Sequence, residues 1–156
     1  MPAPNPDPAE PTGDDRVRLR RAIDLSRACP PSDTAFSVGA VIVAADGREI
    51  AAGYSRETDP RDHAEEVALA KAAGDPGLRG ATIYSSLEPC SSRASRPRTC
   101  TELILGAGVP RVVFAWREPA VFVDCVGAET LRAAGRTVIE VPDLARDVRE
   151  INAHLL

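Results

Sequence analysis

Apolar positions along the chain switch repeatedly between the helical and the strand period. Residues 1–14 alternate Pro with small and acidic residues, a composition that buries too little apolar surface to offset ordering entropy, and predict a disordered tail. Asp14 and Asp15 then cap a predicted helix running to about Ala28, with Val17, Leu19, Ile23 and Leu25 as its apolar positions and Arg16, Arg18, Arg20, Arg21 and Arg27 in solvent. Pro30 and Pro31 end it. Residues 36–44 are β-branched and apolar, Asp46-Gly47 supplies a hairpin turn, and residues 49–54 return as the partner strand. After a polar stretch, Val67, Ala68 and the alanines at 70, 72 and 73 give residues 63–73 a helical pattern that stops at Gly74.

The second half repeats a strand and helix rhythm. Residues 81–86 read as a short buried strand, 100–107 as a helix closed by Gly108, and 111–116 as a strand. Residues 129–134 form a short helix and 137–141 a further strand, a βαβ unit whose crossover makes these last two strands parallel. A final helix from Asp143 to about Leu155 lays Leu144, Val148, Ile151 and Leu155 on the sheet. The pattern predicts an α/β fold of three layers, α/β/α, with a five-stranded mixed sheet in one domain spanning residues 15–156.

At 156 residues there is room for one core, and a net charge of -4 provides no global positive field for a polynucleotide or an anionic membrane. A small-molecule partner is therefore expected. The chain lacks an apolar run of membrane-spanning length and a basic-then-apolar leader, so the expected compartment is the cytoplasm, with Cys29 and Cys125 as free thiols. The run Val121-Phe122-Val123 suits either the core or a contact with a second copy.

Chemistry concentrates in His63-Ala64-Glu65, Pro89-Cys90 and Cys100. One imidazole and two thiolates are three zinc ligands, and a catalytic zinc site keeps three protein ligands with a fourth position open, where a structural site is closed by four. The chain has only one other histidine, His154, three residues from its end at 156 counted inclusively, so His63 has no nearby competitor. Glu65, two residues after the ligand at the start of a helix, reaches the open position as a non-ligand carboxylate and serves as general acid and base in a zinc deaminase. Glu66 points about 100° away and takes a structural role. The competing reading is a closed structural site completed by Cys29, Cys125 or His154.

These motifs, together with the run Ser86-Leu87-Glu88-Pro89-Cys90, resemble the cytidine-deaminase-like superfamily over about residues 16–156. The parallel end of the sheet resembles its branch of tRNA adenosine, deoxycytidylate and riboflavin-pathway deaminases. Nine residues separate Cys90 from Cys100, which resembles the deaminase half of the bifunctional riboflavin-biosynthesis enzymes, as do Gly80-Ala81-Thr82, residues 104–113 and residues 151–155. The resemblance implies a zinc cofactor, base contacts from Ala64 and from the backbone around Ser86, a bracing role for Glu88, and a homodimer or higher oligomer. The sequence departs from that enzyme at Ala35, where the family has a base-recognising Asn, and at Ser91-Ser92, where it has a His.

Two further candidates come from the residues themselves. Phe36 suits stacking on a planar ring or packing in the core, and Arg93, Arg96 and Arg98 suit a phosphate or carboxylate on the substrate, a solvated loop, or a subunit contact. The expected activity is hydrolytic deamination of an aminated pyrimidine or related heterocycle with release of ammonia. A riboflavin-pathway diaminopyrimidine phosphate comes first, and cytosine nucleotides or nucleosides and other amino-heterocycles of specialised metabolism remain open. The acidic balance argues against RNA editing.

Overall fold

The structure is a computed structural model that describes residues 10–119, 121 and 125–156. Most of the predicted tail, and Phe122 and Val123 of the apolar run, lie outside the described residues, while Val121 is exposed. Among the described residues, five α-helices, α1 (Gly13–Ser26), α2 (Ala64–Lys71), α3 (Cys100–Ala107), α4 (Gly127–Ala133) and α5 (Ala145–Ile151), are interspersed with five strands, β1 (Gly39–Val43), β2 (Glu49–Tyr54), β3 (Thr82–Leu87), β4 (Arg111–Trp116) and β5 (Thr137–Glu140). Among the described residues no helix is long and apolar enough to cross a membrane.

The strands form one sheet in the order β2-β1-β3-β4-β5, antiparallel from β2 through β3 and parallel from β3 through β5. Both faces are covered, so the central strands are apolar at successive positions. Ala40, Ile42, Ile83, Val112, Phe114 and Val138 face a core closed by Ala64 and Ala68 of α2, Ile104 of α3 and Leu131 of α4. Their neighbours Val41, Val43, Tyr84, Val113, Ala115 and Ile139 face a second core with Leu19, Ala22 and Ile23 of α1 and Val148 of α5. The period-two alternation of strand side chains thus divides the chain into three layers.

Several boundaries depart from the sequence pattern, two of them through long-range contacts of Asn152. The N-cap of α1 is Thr12, not Asp14 or Asp15: Thr12 Oγ1 accepts from Asp15 N at 3.0 Å and Asp15 Oδ2 accepts from Thr12 N at 2.9 Å, a capping box. Residues 36–38 stay out of the ladder because their backbone is bound by Arg56, Ser55 and Asn152. The C-terminal helix is broken, since Asn152 turns its amide onto Ser37 O (3.1 Å) and Val148 O (3.0 Å), and Leu155 packs against the opposite core. Val17, read as apolar face, is 61% exposed, and α4 starts at Gly127.

Asp15 does more than cap. Its carboxylate accepts from Tyr84 Oη (2.7 Å) and from both guanidinium nitrogens of Arg111 (2.7 and 2.6 Å), tying α1 to β3 and β4. Burial alone would raise its pKa, but the bonds from Arg111, Thr12 and Tyr84 outweigh burial and hold it well below the usual carboxylate range. A depressed folded-state pKa contributes stability that is present above the unfolded value of about 4 and is lost as pH falls toward the folded one. Asp15→Asn is therefore expected to cost about 3 kcal/mol at pH 7, with the gap to wild type narrowing progressively as pH falls from 5 toward the acid end of urea titrations. A gap that stays constant over that range contradicts the assignment.

Candidate active site

The site forms where β3 ends and two helices begin. His63 is the N-cap residue of α2, its backbone N–H held by Glu66 Oε1 at 3.3 Å. Cys100 is the first residue of α3, whose N-cap Thr99 accepts from Glu102 N at 3.1 Å. Cys90 follows β3, and its carbonyl is gripped by Thr101 through both N–H (3.1 Å) and Oγ1 (2.8 Å). These anchors bring the Cys90 and Cys100 sulfurs to 3.5 and 3.4 Å from His63 Nδ1.

That spacing tests whether a metal fits. Zn–S and Zn–N bonds at tetrahedral angles put sulfur and nitrogen about 3.5 Å apart, and the three ligand atoms here all lie within 4.8 Å of one another. Cys90 is held low, at about 4, by the Cys100 thiol, with help from His63 and from the Cys100 N–H at 3.2 Å. The same contact, with burial, pushes the Cys100 thiol up. Burial opposes the His63 imidazolium, but Cys90 and the charge of Glu65 outweigh burial and raise its pKa. The residues fit zinc.

No fourth ligand is present among the described residues. Cys29 Sγ donates to Val38 O (3.5 Å), Cys125 Sγ donates to Pro89 O (3.3 Å), and His154 Nε2 meets Ser32 O (2.8 Å) far from the cluster. All four cysteines are free. The geometry is that of an open, three-ligand site.

Glu65, in the first turn of α2, is 4% exposed beside this cluster. Burial raises its pKa, and Ser85 Oγ donates to its Oε1 at 2.6 Å. The same hydroxyl lies 2.7 Å from Leu87 O, so one hydroxyl proton faces two acceptors and both are satisfied when Glu65 carries a proton. The carboxyl is thus placed to hold and release one.

A cavity of about 410 Å³ opens here, walled by His63, Ala64, Glu65, Phe36, Arg93 and Glu118 among others. Phe36 lines the cavity and packs edge-to-face on Trp116 at 5.8 Å. Arg93 also lines it, with a side chain only 3% exposed. Its Nη2 donates to Arg61 O (2.8 Å), and its Nη1 is buried without a partner among the described residues.

The other candidates lie elsewhere. Ser86 turns its hydroxyl into the sheet, accepting from Gly39 N at 3.1 Å, while Ser85 on the opposite face reaches Glu65. Arg96 is not in the cavity wall and lies 3.2–3.5 Å from Asp59, Asp62 and Glu66, the last of which also pairs with Arg93 at 3.5 Å. Arg98 packs against Gly106 and lines a separate groove between α2 and α3. Glu88 braces the loops: its carboxylate accepts from Glu118 N (3.2 Å) and Ala128 N (3.0 Å). Glu118 and Arg56 carried no local motif and were missed, the latter a buried guanidinium bound to Pro30 O, Phe36 O and Ser37 Oγ.

A three-layer α/β/α fold with one His, two Cys and a buried glutamate at the helix start defines a zinc-dependent deaminase domain. Residues 13–116 match the family model described as the cytidine and deoxycytidylate deaminase zinc-binding region, and the chain belongs to that family. It is 44% identical over 125 residues to a diaminohydroxyphosphoribosylamino-pyrimidine deaminase of Schizosaccharomyces pombe, covering 78% of this chain and 31% of that protein. It is 39% identical over 116 residues to the riboflavin biosynthesis protein RibD of Aquifex aeolicus, covering 74% and 31%. The chain thus spans about a third of the length of these relatives. Among solved structures, the Aspergillus oryzae Rib2 deaminase in complex with DARIPP superposes with a TM-score of 0.76 at 27% identity, covering 88% of each chain.

Proposed function

We propose that this chain hydrolyses the amino group of a diaminopyrimidine carrying a ribosyl phosphate, releasing ammonia. The observation that carries this reading is the open three-ligand cluster with buried Glu65 beside it at the floor of a cavity of substrate size. The names of the relatives supply the substrate class. His63, Cys90 and Cys100 would hold zinc, which when bound acidifies water and polarises the carbon under attack. Two thiolates leave that water less acidic than three imidazoles would, so a neighbouring base matters more.

Glu65 is that base in this reading. It takes a proton from the attacking water and passes it to the ring nitrogen as the C–O bond forms, then takes the remaining proton of the added hydroxyl and delivers it to the departing amine as the carbonyl forms and the C–N bond breaks. Ser85 keeps the carboxyl oriented through both transfers. Phe36 offers an aromatic wall to the heterocycle, the Ala64 backbone lies beside the reacting edge, and Arg93 meets the phosphate with its unsatisfied Nη1. The four free thiols suit a reducing cytoplasm, and an assembly of two or more copies is the expected state.

The test is ammonia release from a panel of diaminopyrimidine ribosyl phosphates, their dephosphorylated forms, cytosine nucleotides and guanine. Turnover is expected on the diaminopyrimidine phosphate, and Arg93→Met should raise KM for it ~10–100-fold, the effect of one charge-assisted hydrogen bond, with little change for the dephosphorylated form. Turnover confined to cytosine compounds or guanine sinks the proposed substrate. Equal losses on both forms sink the role of Arg93.

A further inference from the structure

The segment from Pro30 to Ser37 walls the cavity with Thr34, Ala35 and Phe36, yet it precedes β1 and belongs to no helix or strand. Side chains from elsewhere bind its backbone. Asn152 takes both polar groups of Ser37, accepting from N at 2.7 Å and donating to O at 3.1 Å, and His154 Nε2 lies 2.8 Å from Ser32 O. Arg56 holds the remainder: Nε and Nη2 donate to Pro30 O (3.1 and 2.8 Å), Nη1 to Phe36 O (3.1 Å) and Nη2 also to Ser37 Oγ (3.0 Å). Both ends of the segment are thereby drawn onto one guanidinium.

Arg56 occupies this place against two physical costs. Among the described residues it is the one non-glycine with a positive φ, +60°, a left-handed conformation that disfavours any L side chain. Its guanidinium is also buried, and its hydrogen bonds among the described residues run to neutral carbonyls and a hydroxyl, with no carboxylate paired to it. Burial lowers its pKa, with the Cys29 thiol opposing. Strained backbone and an uncompensated buried cation persist where the surrounding structure over-determines them. Here the backbone N–H of Arg56 is bound to Asp62 O at 3.0 Å, next to the metal ligand His63, while the side chain reaches the Phe36 wall. One residue therefore sets the distance between the metal side of the cavity and Phe36. The Phe36 ring in turn packs at 5.8 Å on Trp116, the only tryptophan in the chain.

We propose that Arg56 is a positioning residue for substrate binding: it clamps the 30–37 segment so that the Phe36 ring stands as a fixed wall against the heterocycle, and it acts through Phe36. The assignment rests on the deaminase reading above and deepens it. An aromatic wall favours a planar ring most when it is already in place, because ordering the wall on binding would consume the gain. The clamp depends on the guanidinium fork and not on charge alone. A lysine at this position has one compact ammonium, which cannot span Pro30 O, Phe36 O and Ser37 Oγ together. The effect is separable from the chemistry at Glu65 and from metal binding.

Two readouts on the zinc-loaded protein test this: affinity for 2,4-diaminopyrimidine by ligand-observed NMR, and the emission of Trp116, which reports on Phe36 without any ligand. Arg56→Gly is the informative variant, because glycine accepts the positive φ and the clamp is removed without new strain. It should bind the probe ~3–10-fold more weakly, the share of one aromatic contact, shift Trp116 emission in the folded protein and keep one zinc per chain. Arg56→Lys, which keeps the charge and most of the bulk, should show the same weakening. Phe36→Leu should weaken the probe by a similar factor, and Arg56→Gly added to Phe36→Leu should cost nothing further, a non-additivity that a merely structural arginine would not give. Additive losses in the double variant, probe affinity of Arg56→Gly within twofold of wild type, or an unchanged Trp116 emission overturns the assignment. Ammonia release by wild type from the diaminopyrimidine phosphate, measured on the same preparation, shows independently whether the proposed function stands.

Discussion

Glu65→Gln is expected to keep zinc at one equivalent per chain while ammonia release falls by at least ~10³-fold. The change is isosteric, so the amide still fits the buried site in the first turn of α2 and still accepts from Ser85 Oγ. It cannot take a proton from water, hand one to the ring nitrogen or protonate the leaving amine. One group serves all three transfers in the proposed cycle, so its loss exceeds the ~10²–10⁴-fold typical of a single general acid or base step at the lower end of that range. Glu65 is not among the three clustered ligand atoms, so metal content should be unaffected, whereas His63→Ala or Cys100→Ala should lose metal and activity together. Metal content by plasma emission and ammonia by a coupled assay make the two readouts. Glu65→Gln with turnover within tenfold of wild type would remove the proton-shuttle role, and a variant that loses its zinc would instead make Glu65 a ligand.

The sequence was most legible where function depends on local order. His63 and Glu65 share a helix start, Cys100 opens a helix, and Cys90 leaves a strand end, so spacing alone put each on its correct element. The metal cluster follows from those three ends meeting at one edge of the sheet. The arginine loop was less legible, because charge compensation is a property of the folded state. Arg96 and Arg98 look equivalent to Arg93 in sequence, yet Asp59, Asp62 and Glu66 take up Arg96 and α3 takes up Arg98. The Ser85 and Ser86 pair makes the same point on a strand, where one residue reverses the face and exchanges a site contact for a sheet contact. Glu118 and Arg56 could not be found by spacing. Their importance lies in partners 20 to 30 positions away in sequence, such as Phe36 O for Arg56 and the carboxylate of Glu88 for Glu118.

Gly127→Ala is expected to weaken zinc retention and fold stability together, although residue 127 touches no metal ligand side chain. A Cβ added there would stand 1.9 Å from the Pro89 carbonyl oxygen and 3.2 Å from Thr101 Oγ1. The two nearest atoms, the Pro89 carbonyl oxygen and carbon, are backbone that cannot rotate away, so the peptide joining Pro89 to Cys90 must move. That movement displaces a ligand whose sulfur needs its place to within a few tenths of an ångström, and it disturbs the grip of Thr101 on Cys90 O. The cost should be about 3 kcal/mol, as for other overpacked sites, with faster zinc loss to a chelator. Gly74→Ala is the control, because φ is +84° there and nothing lies within 4 Å of the added Cβ. It should cost only the backbone strain, about 1 kcal/mol, and leave zinc retention unchanged. If Gly127→Ala holds zinc as firmly as Gly74→Ala, then the close contact of α4 with the Pro89 carbonyl does not position Cys90.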